Sequence, residues 1–176
     1  GKCDKGFAFI YDRFTGIVND LNLTMDIETV LNETKARMEE EKSADFCASR
    51  GEYLSAMVMA EFLGAKFVDA EDMIRFDSTG RLNEEYTDDK VKTKLNGVEF
   101  AVIPGFYGKD SFGKVKTFSR GGSDITGSII ARGVKADLYE NWTDVSGFLM
   151  CDPRIVPEAK VINQLTYKEL RELSYM

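Results

Sequence analysis

The stretch VEFAVI, Val98 to Ile103, is dominated by apolar residues and is stopped at once by Pro104 and Gly105. A short apolar run bounded by turn formers reads as a strand buried on both faces, and such strands belong to parallel sheets covered by helices. Its surroundings fit that sheet. Asn83 to Asn96 has a helical, polar pattern ended by Gly97, and Gly108 to Ser119 reads as a hairpin turning near Asp110, Ser111, Phe112 and Gly113. Ala65 to Asp69 and Met73 to Phe76 read as further short strands, separated by Ala70, Glu71 and Asp72, with a turn at Asp77, Ser78, Thr79 and Gly80. Helices alternating with apolar strands predict an α/β fold on a mainly parallel sheet.

Two amphipathic helices come first. Phe7, Ile10, Phe14, Ile17, Val18 and Leu21 recur at helical spacing, and Ile27, Val30, Leu31, Thr34 and Met38 do so after Asp26, a good cap. Glu39, Glu40, Glu41 and Lys42 read as a solvated helix end. The next helix begins at Ser43 or Asp45 and closes at Gly64; within it Gly51 marks a kink or a close approach, and Glu52 on its own reads as a helix-dipole partner. Thr166, Tyr167, Lys168 and Glu169 form a capping box opening a helix through Met176. The 176 residues contain no repeats or Pro-rich linkers, and one domain is expected.

Charge and residue usage narrow the chemistry. Acidic residues number 30 against 23 basic ones, a net charge of -7, which argues against general affinity for nucleic acid or anionic membrane. No apolar run approaches the length of a membrane span and GKCDKGFAFIYDRF is not a signal peptide, so a cytoplasmic location is expected. Cys3, Cys47 and Cys151 are odd in number and lack metal-binding spacing, which points to buried or incidental thiols. Histidine is absent, removing Ser-His-Asp and Cys-His mechanisms. Phosphoryl transfer passes that filter, because it rests on positioning and charge stabilisation.

The residues that carry chemistry lie between Thr117 and Arg154. Arg120, Gly121, Gly122, Ser123 and Asp124 precede Ile125, Ile129 and Ile130 at helical spacing, a glycine turn feeding a helix with Ser123 as its N-cap. A helix N-terminus approached through glycines favours an anion, and Arg120 adds a planar fork suited to carboxylate or phosphate. An ordinary capped helix after a tight turn accounts for the same residues. Ala136 to Trp142 alternates like a strand and runs into Thr143, Asp144, Val145, Ser146 and Gly147, a loop placed either to meet a nucleotide or simply to turn the chain. Cys151, Asp152, Pro153 and Arg154 form a turn with a carboxylate and a guanidinium two residues apart, which also suits a surface pair.

In this order, RGGSD, WTDVSG and DPR resemble the motifs of the aspartate kinases of the amino-acid kinase family. Ser49 to Ser55, SRGEYLS, resembles the family's SxGExLS, and Val102 to Gly108, VIPGFYG, resembles its strand-to-loop GFxG. The resemblance runs from about Asp45 to Met176. It implies a three-layer αβα sandwich with a mainly parallel sheet. It also implies transfer of the γ-phosphoryl of ATP, with Mg2+ on the phosphates, to the side-chain carboxylate of L-aspartate. The product would be 4-phospho-L-aspartate, on the way to lysine, threonine and methionine. Glutamate 5-kinase activity, or a noncatalytic ligand-binding module of the same fold, are the alternatives.

By the resemblance, Arg120 grips the substrate α-carboxylate, Glu52 meets its ammonium, and Ser123 and Asp124 organise the reacting end. Gly121, Gly122, Thr143, Asp144, Asp152 and Arg154 face the nucleotide, and no side chain is assigned to a metal. Leu149 stands where the family often has a tyrosine near the nucleotide. An intact member opens with a strand and a KxGGS or KxGGT loop carrying a catalytic lysine, and it continues into regulatory ACT domains. This sequence has neither, so it is expected to be part of one catalytic domain, with a homo-oligomer formed through segments outside it.

Overall fold

Three helices, α1 (Lys2–Asp20), α2 (Ile27–Glu41) and α3 (Ala44–Leu63), sit where apolar spacing places them in the computed structural model, which describes residues 2–142 and 147–175. The caps are those that the sequence offers. Asp26 accepts from the Thr29 amide at 3.1 Å, Ser43 rather than Asp45 caps α3 by accepting from the Phe46 amide at 3.2 Å, and Gly64 ends α3 in the left-handed conformation. Phe7, Val18, Ile27, Leu31, Leu54 and Val58 form a core shared by the three helices. Helix α3 is continuous through Gly51, and nothing outside its own helix lies within 4 Å of the place a Cβ would take there, so the expected close approach does not occur.

Strand β1 (Lys66–Phe67) pairs in parallel with β2 (Ala101–Val102), the Lys66 amide donating to Phe100 and the Val68 amide to Val102. Phe67 packs edge-on against Tyr53 of α3, with ring centroids 5.4 Å apart. Its neighbour Val68 clusters instead with Val91 and Ile129, which belong to α4 (Glu84–Lys94) and α5 (Gly122–Val134). The predicted strands Ala65 to Asp69 and Val98 to Ile103 are thus real but shortened, because each ladder extends only as far as its neighbour runs beside it, and Val98 to Ile103 is half-buried or exposed rather than buried on both faces. Strand β3 (Tyr107–Lys109) and strand β4 (Val115–Thr117) form the expected antiparallel hairpin, and Asp110 in its turn accepts from the amides of Phe112 and Lys114. Met73 closes a 3-10 turn (Ala70–Asp72); Ile74 to Phe76 then runs parallel to β3, linked by Lys109 N–H to Ile74 at 2.9 Å and Phe76 N–H to Lys109 at 2.7 Å.

Helices α4 and α5 cross closely at Gly133, where any Cβ would strike Val91. Arg132 fastens the same crossing by ion pairs to Asp88 at 2.9 Å and Glu84 at 3.1 Å. The segment after α5 departs from expectation. Ala136 to Trp142 alternates in sequence yet forms no strand: Lys135 turns out of the helix in the left-handed conformation, and among the described residues the segment enters no ladder. Leu138 and Trp142 remain exposed.

The chain divides into the units Gly1–Tyr139 and Glu140–Met176. In the second, Leu149 bridges Val161 in antiparallel fashion, and Thr166 and Glu169 form the capping box that opens α6 (Tyr167–Tyr175). Among the described residues, no helix is long and apolar enough to cross a membrane.

Candidate active site

Four pieces of the chain, the segment at Ala136 and Tyr139 among them, meet at a cleft of about 430 Å³ in the first unit. Glu52 lines it from the middle of α3, Gly105 from the loop leaving β2, and Ser123 and Thr126 from the first turns of α5. Ala101, Ile103 and Ile130 supply an apolar wall. Such a cleft, mostly apolar with a few converging polar groups, suits a small polar molecule held by its charged ends.

The loop reaches α5 through glycines and one strained residue. Phe106 has φ 61, a conformation costly for a bulky side chain. It is held there from both sides: its amide donates to Thr126 Oγ1 at 3.0 Å, and its carbonyl accepts from the Phe118 amide at 2.9 Å. The Thr126 hydroxyl in turn donates to the Gly122 carbonyl at 2.8 Å. A Cβ on Gly122 would lie 2.5 Å from Phe106 Cβ and 2.7 Å from its Cα, and one on Gly105 would lie 3.1 Å from Ser123 Cα. These glycines let loop and helix touch.

At the start of α5 the sequence reading needs correction. The N-cap is Gly121, left-handed at φ 59, and not Ser123. Glycine adopts that conformation at little cost, so the chain enters the helix two residues early and Ser123 falls inside the first turn. Ser123 is thereby released from capping and lines the cleft. Among the described residues no side chain caps the helix, and the first-turn amides have no intrahelical partners.

Glu52 lies well inside α3, and among the described residues it makes no hydrogen bond or ion pair. Arg120 is exposed in the bend before Gly121, and Asp124 is exposed in the first turn of α5; neither lines the cleft. Thr143 and Asp144 lie outside the described residues. In the second unit Asp152 and Arg154 bind each other, Arg154 Nη2 to Asp152 Oδ2 at 2.7 Å, while the Arg154 amide donates to Asp152 Oδ1 at 2.8 Å. Those bonds hold the Asp152 carboxyl below the usual carboxylate range and raise the guanidinium.

Several residues important to this geometry escape a reading of the sequence. Phe106 and Thr126 do so because a left-handed aromatic residue and its hydroxyl partner, twenty residues apart, leave no local pattern. Arg50 had a signal: with Phe46 and Leu54 it falls on one face of α3 at four-residue spacing, a cation in an apolar stripe. It is 2% exposed. Tyr107, beside it, donates to Asp69 Oδ1 at 2.7 Å, and burial followed by the Asp69 charge pushes its hydroxyl far above the ordinary tyrosine value. Cys47 and Cys151 are free and exposed rather than buried, and no three potential metal-ligating side chains cluster among the described residues.

A model of the amino acid kinase family matches residues 12–176. The chain belongs to the amino acid kinase family. Among curated members, Aspartokinase 3 of Bacillus subtilis is 35% identical over 180 residues, spanning 94% of this chain and 40% of its own length. The aspartokinase of Rickettsia prowazekii is 31% identical over 162 residues, 86% of this chain and 36% of its own. The crystal structure of Clostridium acetobutylicum aspartate kinase superposes with a TM-score of 0.90 at 55% identity, covering 98% of this chain and 40% of that one. E. coli aspartokinase III in complex with aspartate and ADP shares the fold, with a TM-score of 0.77 at 24% identity over 94% of this chain and 43% of that one. The chain therefore spans about 40% of the length of the first of these family members.

Proposed function

We propose that this chain is part of the catalytic domain of an aspartate kinase, which transfers the γ-phosphoryl of ATP to the side-chain carboxylate of L-aspartate. The product is 4-phospho-L-aspartate, the first step toward lysine, threonine and methionine. The observation that carries the reading is the meeting of Glu52 and Ser123, from two separate sequence motifs, at one cleft. High identity to an aspartate kinase over nearly the whole chain supports aspartate over glutamate as acceptor. Helices on either side of β1 support a three-layer αβα sandwich completed by the rest of a longer protein, which also holds the lysine loop and the ACT domains. A cytoplasmic homo-oligomer is part of the same proposal.

Glu52 receives the substrate ammonium, Arg120 its α-carboxylate, and Ser123 and Asp124 orient the acceptor end. A side-chain carboxylate with a pKa of about 4 is already ionised near neutrality and needs no general base, in keeping with a chain that lacks histidine. What must be overcome is the approach of two anions. The uncapped amides at the start of α5 offer partial positive charge for that purpose. Gly121, Gly122, Thr143, Asp144, Asp152 and Arg154 form the nucleotide side. Mg2+ bound to the phosphates would neutralise the developing charge, and an ion carried by substrate phosphates needs few protein ligands.

The test is acceptor choice by the full-length protein. With ATP and either aspartate or glutamate, trapping the acyl phosphate with hydroxylamine should give a hydroxamate from aspartate alone. Hydroxamate from glutamate, or from neither amino acid, would reject the reading.

A further inference from the structure

Arg50 is buried, yet among the described residues no carboxylate pairs with it and its Nη2 has no hydrogen-bond partner. Its Nε donates to Ser49 Oγ at 3.1 Å, and Ser49 donates in turn to the Phe46 carbonyl at 2.7 Å. Aromatic rings complete the surroundings: the guanidinium carbon lies 4.4 Å from the centroids of Phe46 and Tyr53 and 5.3 Å from that of Tyr107. A flat delocalised cation can lie against several rings at once, which the compact ammonium of lysine does less well.

Phe46, Ser49 and Tyr53 share α3 with Arg50, but Tyr107 does not. Tyr107 opens β3 directly after Phe106, the left-handed residue bonded to Thr126 of α5, and its own hydroxyl is tied to Asp69. Arg50 therefore joins α3 to the loop that packs on Ser123, and it stands two residues before Glu52 on the same helix. An apolar side chain of similar length would fill the space without the cost of burying a charge. It would not grip Tyr107 through a rigid planar group.

We propose that Arg50 is a positioning residue: by clamping Tyr107 to α3 it fixes Glu52 relative to the Ser123 side of the cleft. The inference rests on Glu52 being the partner of the substrate ammonium. The full-length protein decides it, with KM for aspartate and for ATP measured separately on folded Arg50→Met, Arg50→Lys, Glu52→Gln and the double variants. Arg50→Met should raise aspartate KM about tenfold and leave ATP KM within about twofold, Arg50→Lys should fall between, and adding Glu52→Gln should bring little further loss because both act on one contact. Should Arg50→Met not fold, Arg50→Lys carries the comparison. Wild-type aspartate KM in the folded Arg50 variants, equal changes in both KM values, or additivity with Glu52→Gln overturns the positioning role. Unchanged aspartate KM in Glu52→Gln itself overturns the assignment of Glu52, and this inference with it.

Discussion

Glu52 stands well past the first turn of the 20-residue α3, and the field of a helix terminus fades within about one turn. A dipole role is therefore closed to it, which leaves an exposed carboxylate on the wall of a cleft. If Arg120 and Glu52 clamp the two charged groups of an amino acid, each contributes charge-assisted hydrogen bonds of about 1.5–3 kcal/mol. Arg120→Ala should then weaken aspartate use by about ten- to a hundredfold, and Arg120→Lys should recover only part, lacking the bidentate fork. Glu52→Gln should harm aspartate use while sparing ATP affinity. Separate titrations of aspartate and ATP against the folded full-length variants check this, and an unchanged aspartate dependence in both would remove the clamp. RGGSD and SxGE were legible in the sequence as candidates, whereas the capping role of Ser123 was misread. Its residue type favours an N-cap, but the backbone freedom of Gly121 moves the helix start ahead of it.

Glycines within helices show how an element's neighbours decide what its sequence means. Gly122 and Gly51 both lie in helices, but a Cβ on Gly122 would press on Phe106 and Phe118, whereas around Gly51 there is nothing within 4 Å. Gly122→Ala should accordingly lower stability by about 1–3 kcal/mol through overpacking and push the loop from α5. Gly51→Ala should raise stability by about 0.5–1 kcal/mol, since the backbone is already helical and alanine loses less entropy on folding. Urea unfolding of the two variants tests both signs, and a stabilised Gly122→Ala would mean that the loop yields. The helices were legible as places because spacing and caps are local, as at Asp26, Ser43 and Gly64, while the start of α5 was not. Strands were legible as places but not as lengths. Ala136 to Trp142 had the alternation of a strand but joins no ladder among the described residues, and a ladder is a property of two segments.

Over the whole molecule the parallel pairing of β1 with β2 and the helices around it were foreseeable from alternation, while the joining of α3 to β3 through Arg50 and Tyr107 was not, since it depends on residues far apart in sequence. The distribution of titratable groups leads to a prediction at this scale. Asp26, Glu61, Asp77, Asp152 and Glu169 are each held below their usual carboxylate range by hydrogen bonds, from Thr29, Thr24, Thr79, Arg154 and Thr166 respectively. Unfolded, they bind protons near pH 4, before the folded state does, so their contribution is complete above about pH 5 and is lost as acid protonates the folded chain. Tyr53 and Tyr107 act at the other end. Burial raises both, and the unfolded chain releases their protons near pH 10 while the folded chain retains them, so stability falls as pH rises beyond about 10. No histidine titrates between these limits. Thermal unfolding followed by circular dichroism from acid to alkaline pH should therefore give a plateau between about pH 5 and 9 with a decline on each side. Tyr107→Phe should lower the plateau, because the hydrogen bond to Asp69 is lost, and make the alkaline decline shallower. A step near pH 6.5, or an alkaline limb unchanged in Tyr107→Phe, would show that other groups govern the pH dependence.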